Sequence, residues 1–211
     1  MQMLDWSVTF RPLLGPAMGA IYKWPGQAPA LTASMRKVLG SSAAKYEGDK
    51  RTNCTWLTAY LLGTAFDVDF TLDDAWARWQ ITRGEDHDYQ GYAPGVMAEQ
   101  GFGELLPAGS VPDGVCLVQT MGVWPHGHSR LVLDRCPRTD KVLTLESNSG
   151  YGLNGLGFAG LGNIRSVNAA DWRNRPVPKW ADIVKGQREV IVTRLNIDQG
   201  SVRDWVDGMA A

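Results

Sequence analysis

Long apolar runs, charge of one sign and a cysteine framework are all missing from this chain. No stretch approaches the roughly 20 apolar residues of a membrane-spanning helix, so no membrane insertion is expected. The 21 basic and 22 acidic side chains leave a net charge of −1 with no long run of either sign. That pattern offers a phosphate backbone no binding face, and nucleic acid is not an expected partner. Three cysteines are too few, and odd in number, for a disulfide framework, so at least one thiol stays free. Cys116 and Cys136 fall on expected neighbouring strands and are the two that could pair. Residues 12–22 are apolar, but Asp5 precedes them and Pro12, Gly15 and Pro16 interrupt them, which does not read as a secretory signal. The chain is expected to be made in the cytoplasm, and if its substrate lies outside, something else must deliver the protein.

What is present suits an ordinary globular protein. Hydrophobic residues are 44% and charged residues 20% of 211, enough for one domain with a sizeable core. Residues 1–28 are rich in Pro, Gly and aromatics (Trp6, Phe10, Tyr22, Trp24) without a sustained period, and read as an irregular arm that packs its aromatics onto the domain. Residues 30–39 make a short amphipathic helix stopped by Gly40. We therefore place an N-terminal arm and helix at 1–44 and the main domain at 45–211. A helix is expected from Asn53 to Gly63, another from Thr71, and a short one from Pro94 that Gly101 ends. After Pro107 the texture changes to strands at 115–121, 129–135, 141–146, 164–167 and 189–197, with a short frayed helix from Gly200. Helices first and antiparallel strands after predict an α+β domain with the helices on one side of the sheet.

One stretch carries reactive chemistry. In Asn53-Cys54-Thr55-Trp56, followed by Leu57, Tyr60 and Leu61 at helical spacing, Cys54 falls in the first turn of an apolar helix. Unpaired N–H groups and the positive dipole end there favour a thiolate. Cys54 is thus a candidate nucleophile, against the plainer reading of a small buried thiol.

A nucleophilic thiol needs a base. His87 lies among charges in an expected loop. His126 and His128 form a His-x-His pair that lacks an evident third metal ligand, so no metal and no cofactor are expected. His128, against the strand that follows, is the one held rigidly enough for a general base. Glu146 and Asn148 lie 18 and 20 positions further on, both even separations. If residues 136–140 form a five-residue hairpin loop, Arg135 opposes Lys141, Arg130 opposes Glu146 and His128 opposes Asn148. His128, Glu146 and Asn148 then share one face, and either Glu146 or Asn148 can orient the imidazole. The Cys54 backbone N–H, with help from Asn53, can serve an oxyanion. Six glycines between 150 and 162 let backbone approach a ligand closely or form an irregular crossover.

These residues resemble the CHAP group of papain-like cysteine hydrolases and their NlpC-like relatives. The resemblance rests on Asn-Cys-Thr-Trp (53–56), Gly-His-Ser-x-Leu-Val-Leu (127–133) and Leu-Glu-Ser-Asn (145–148), and spans roughly residues 45–150. Asn53 stands where that family usually has Gln, one methylene longer. The resemblance implies a papain-like fold with the nucleophile helix packed on an antiparallel sheet. It further implies Cys54 as nucleophile, His128 as base, Glu146 as orienting acid and Asn148 as accompanying amide, with Trp56, Trp124 and Tyr151 lining the cleft. The implied activity is amidase or endopeptidase action on peptidoglycan peptides, as in a phage lysin or an injected antibacterial effector, with an immunity or delivery protein as partner. Two other readings are a papain-like hydrolase of an intracellular protein or small amide, and a non-catalytic wall-binding module of the same fold.

Overall fold

The computed structural model of the chain describes residues 2–12, 61–63, 65–66, 93–121, 128–147, 159–160, 173–174 and 177–208. The expected helices at 30–39 and from Thr71, and the strand at 164–167, lie outside them. Within them the helices are α1 (Trp6–Thr9), α2 (Ala93–Glu99), α3 (Trp180–Val184) and α4 (Gln199–Gly208). The strands are β1 (Gly103–Leu105), β2 (Cys116–Met121), β3 (His128–Arg135), β4 (Val142–Ser147), β5 (Ala159–Gly160) and β6 (Glu189–Leu195). The protein is α+β, and among the described residues every strand pair is antiparallel, in the order β1-β6-β2-β3-β4-β5. Five strands make one continuous ladder, and the two-residue β5 pairs the outer side of β4.

The sheet is covered on both faces, which corrects the expectation of helices on one side only. Val115-Cys116-Leu117-Val118 and Leu131-Val132-Leu133 are unbroken apolar runs, and such runs need cover above and below. Odd-numbered Leu117, Leu131, Leu133, Leu143 and Leu145 meet Trp6, Phe10, Leu61, Leu62, Met97, Val202 and Trp205 in a first core. Even-numbered Cys116, Val118, Val132, Val142 and Val192 meet Trp180 and Ile183 of α3 in a second. Cys116 and Cys136 belong to different cores, and both thiols are free.

Of the N-terminal segment, residues 2–12 are described, and they include the short helix α1. The Asp5 carboxylate accepts from the backbone N–H of Ser7 at 2.8 Å and of Val8 at 3.2 Å, capping α1. Trp6 is fully buried, stacked on Phe10 at 4.6 Å and tilted against Trp205 at 5.4 Å. Leu4 bridges Ile197 in parallel, and the Trp6 backbone N–H donates to Ser201 Oγ at 2.7 Å. These contacts also explain why the expected frayed tail is an ordered helix. Asp198 caps α4 by accepting from Ser201 N at 2.7 Å, and Val202, Trp205 and Val206 are buried.

The β3–β4 hairpin differs from the expected five-residue loop. Arg135 pairs with Val142 rather than Lys141, and a register shift between Val132 and Asp134 makes up the extra residue. Leu133 and Asp134 both lie toward the first core, as two residues facing one across a bulge must. The carbonyl of Leu133 accepts from Gln199 Nε2 at 2.8 Å, and Asp134 takes Arg173 at 2.9 Å and Arg203 at 3.3 Å. At the turn Asp140 adopts a left-handed φ of 58°, holds Arg135 Nε at 2.8 Å and accepts from Ala181 N at 3.1 Å at the start of α3.

Candidate active site

Beyond the bulge the pairing is Val132↔Thr144 and Leu131↔Leu145. The bulge therefore returns the hairpin to the register expected at its far end. Continuing the ladder one step sets Arg130 opposite position 146, and two steps set Ser129 opposite position 147. His128 opens β3 and is partly buried. Its other neighbour is β2, where His128 pairs with Thr120, Ser129 with Gln119 and Arg130 with Val118. Thr120 Oγ1 donates to the His128 carbonyl at 3.5 Å, so the backbone at the strand start is held on the β2 side. A strand start inside a ladder is rigid in a way a loop is not.

Alternation along β3 gives His128 and Arg130 the parity of Val132, which belongs to the second core. Position 146 has that parity across the hairpin. The helical residues Leu61 and Leu62, by contrast, pack into the first core with Leu131 and Leu145. His128 and the described end of the helix expected to carry Cys54 thus belong to opposite faces of the sheet. Arg130 is the residue that motif reading placed in the ladder without giving it a role. It is only 7% exposed, and a guanidinium in the middle of Ser-Arg-Leu-Val-Leu was the signal.

Asn53, Cys54, Trp56, Trp124, Asn148 and Tyr151 lie outside the described residues, as do His87 and His126. Glu146 is described through its backbone, which pairs with Gly160 of β5. The two described cysteines differ: a hydrogen bond with the Thr139 side chain holds the Cys136 thiol below its ordinary value, whereas Cys116 is shifted the other way. Cys136 is buried in the first core, and burial pushes the Cys116 thiol up to about 11, so it stays protonated at neutral pH. Among the described residues no three His, Cys, Asp or Glu side chains gather into a metal-binding group. Among them, too, no helix is long and apolar enough to cross a membrane. Comparison with protein-family models, with curated proteins and with solved structures returns no match, so the site is read from its own residues.

Proposed function

We propose that this chain is a cysteine amidase or endopeptidase of papain-like fold that hydrolyses amide bonds in peptidoglycan peptides. The observation that supports the reading is the β3–β4 register, which beyond the bulge is Leu131↔Leu145; continued along the two strands, it gives position 146 the parity of His128 at the start of β3. Cys54 attacks the scissile carbonyl after His128 takes its proton, and the imidazolium then protonates the leaving amine. Glu146 or Asn148 accepts the other ring N–H and fixes the tautomer. The Cys54 backbone N–H and the Asn53 amide serve the oxyanion. Water then attacks the thioester with His128 as base, releasing the carboxylate and restoring the thiol. Trp56, Trp124 and Tyr151 supply flat apolar surface for a peptide. The partners this implies are a cell-wall peptide and an immunity or delivery protein.

Mass spectrometry of purified peptidoglycan after incubation tests the reaction. New amine and carboxylate termini made by the wild-type protein, and not by Cys54→Ala, are the expected result. Equal cleavage by both proteins would overturn the nucleophile.

One observation favours a second reading. Leu61 and Leu62 pack on the face opposite to the parity of His128, so a thiol–imidazole contact requires the chain before residue 61 to come round the β3 start. A non-catalytic wall-binding module makes no such demand. Disulfide trapping between Cys54 and a cysteine placed at position 128 separates the two readings.

A further inference from the structure

The sequence holds no long run of one sign, yet its charges are unevenly spread. Residues 114–188 carry ten basic and five acidic side chains, whereas residues 1–113 carry nine and thirteen, and residues 189–211 two and four. The fold draws part of that basic excess to one place, the turn of the β3–β4 hairpin. Arg135 and Arg138 stand at the turn, and Lys141 leaves it in an antiparallel bridge with Lys179, the residue before α3. Lys141 Nζ donates to the carbonyl of Arg173 at 2.9 Å, a neutral acceptor that leaves the charge in place and brings Arg173 to the same end. Arg138 and Lys179 are exposed, and Arg173 is 40% exposed.

The acids described at this end are engaged in holding the turn together. Asp134 is 7% exposed beneath Arg173 and Arg203. Asp140 holds Arg135 and accepts from Ala181 N, and Asp182 accepts from the Lys179 backbone N–H at 3.3 Å. On α4, Asp207 borders the same hollow as Arg203 and balances it. The chain leading to and from residue 173 contributes Arg165, Asp171 and Arg175 to the sequence, so it does not reverse the excess.

We propose that the hairpin-turn end of the molecule is a docking surface for a chain of phosphodiesters that carries no bases, of the polyol-phosphate kind. Two lysines set directly opposite each other destabilise a strand pair, and a phosphate lying between them turns that repulsion into attraction. Cations from the turn, from residue 173 and from the start of α3 are spread over three chain segments, which suits successive phosphates better than one compact anion. Among the described residues, the exposed large apolar side chains are Met3, Val8, Leu105 and Val111, none of them in the turn or α3, and Trp180 is buried. The surface thus presents charge without a stacking platform for bases or an apolar wedge for a bilayer. It lies at the opposite end of β3 from His128 and stands apart from the catalytic reading.

Titration of the full chain into a fluorescently labelled glycerol-phosphate oligomer, read by polarisation between about 50 and 200 mM salt, tests the surface. Wild type is expected to bind, more weakly as salt rises. Arg138→Ala and Lys179→Ala should each bind about threefold more weakly, with the salt slope lower by about 1. Both positions are exposed, and far-ultraviolet circular dichroism checks that the variants fold. Arg188→Ala removes one exposed charge beside Glu189, whose partner Met121 lies at the other end of the sheet, and should bind as wild type does. No binding by wild type, or equal losses in all three variants, would overturn the docking surface. Tighter binding of single-stranded DNA of the same charge, or of phosphatidylglycerol vesicles, would overturn the partner in favour of nucleic acid or a membrane.

Discussion

The side-chain amide of Gln199 donates to the carbonyl of Leu133 at 2.8 Å, across 66 positions of sequence. Leu133 is the extra residue of the bulge, and its carbonyl is one that the β4 ladder leaves over. The bond ties the start of α4 to the irregularity that sets the register of the strand end bearing His128. Gln199→Leu is expected to cost about 1–2 kcal/mol in chemical denaturation by leaving that acceptor unpaired. A double variant with Ser129→Ala, at the other end of β3, should show additive losses, since the two sites share no partner.

Asp134 holds two arginines and lies beside the same bulge, with its side chain 7% exposed while Arg173 and Arg203 are 40% and 56% exposed. Asp134→Asn keeps the shape and removes the charge. It should lower stability by about 1–2 kcal/mol, with the loss smaller at 1 M salt, because half-exposed guanidinium groups are screened.

Burial pushes the Cys116 thiol from 9.0 up to about 11, with the neighbouring backbone carbonyls of Asp113 and Gly114 at 3.8 and 3.6 Å from its sulfur. The folded chain therefore holds this proton more tightly than the unfolded chain does. The stability it contributes is whole below pH 9 and is lost as the pH rises toward 11, by an amount on the order of 2–3 kcal/mol. Cys116→Ala should flatten the stability profile over that window, and native-state alkylation at pH 7 should leave Cys116 unlabelled until the chain unfolds.

Ser201 Oγ accepts from the Trp6 backbone N–H at 2.7 Å and itself donates to the Asp198 carbonyl at 2.8 Å. Ser201→Ala should cost about 1–2 kcal/mol, and Trp6→Ala about 3–5 kcal/mol through the cavity between Phe10 and Trp205. Near-ultraviolet circular dichroism would register both, since Trp6 and Trp205 are in contact.

If Cys54 is the nucleophile, its thiol reacts with iodoacetamide at pH 6 far faster than a model thiol, and His128→Ala slows that reaction at least tenfold. Cleavage of wall fragments should fall by about 10³-fold or more in the same variant. A Cys54 that labels at the model rate in both proteins favours the non-catalytic module.

Much of the sheet was legible because each strand is a short Val- and Leu-rich run bounded by turn residues. Strands at 116–121, 128–135, 142–147 and 189–195 fall within two residues of the expected bounds. The helix from Pro94 ends where Gly101 takes a φ of 77°, as a helix-stopping glycine should. The bulge was not legible, because period-2 alternation carries no mark for one inserted residue. Beyond the bulge the register at Leu131↔Leu145 was nevertheless the expected one, since the bulge and the longer turn offset each other. The second face of the sheet was missed, although the unalternated runs at 115–118 and 131–133 announced it. Order in α1 and α4 was missed for another reason: Asp5, Trp6, Asp198 and Ser201 stabilise each other, and neither segment displays that alone.

The place of β6 has a consequence for how the molecule comes into being. It lies between β1 and β2, with Gly103 paired to Leu195 at a separation of 92 positions and Cys116 to Arg194 at 78. A chain synthesised only as far as residue 188 therefore holds β1 and β2 as two raw edges with no ladder to join them. Closing the sheet means inserting its next-to-edge strand last, across a long excursion of backbone. Folding of this protein is expected to wait on that one late, non-local event rather than on the formation of its short helices.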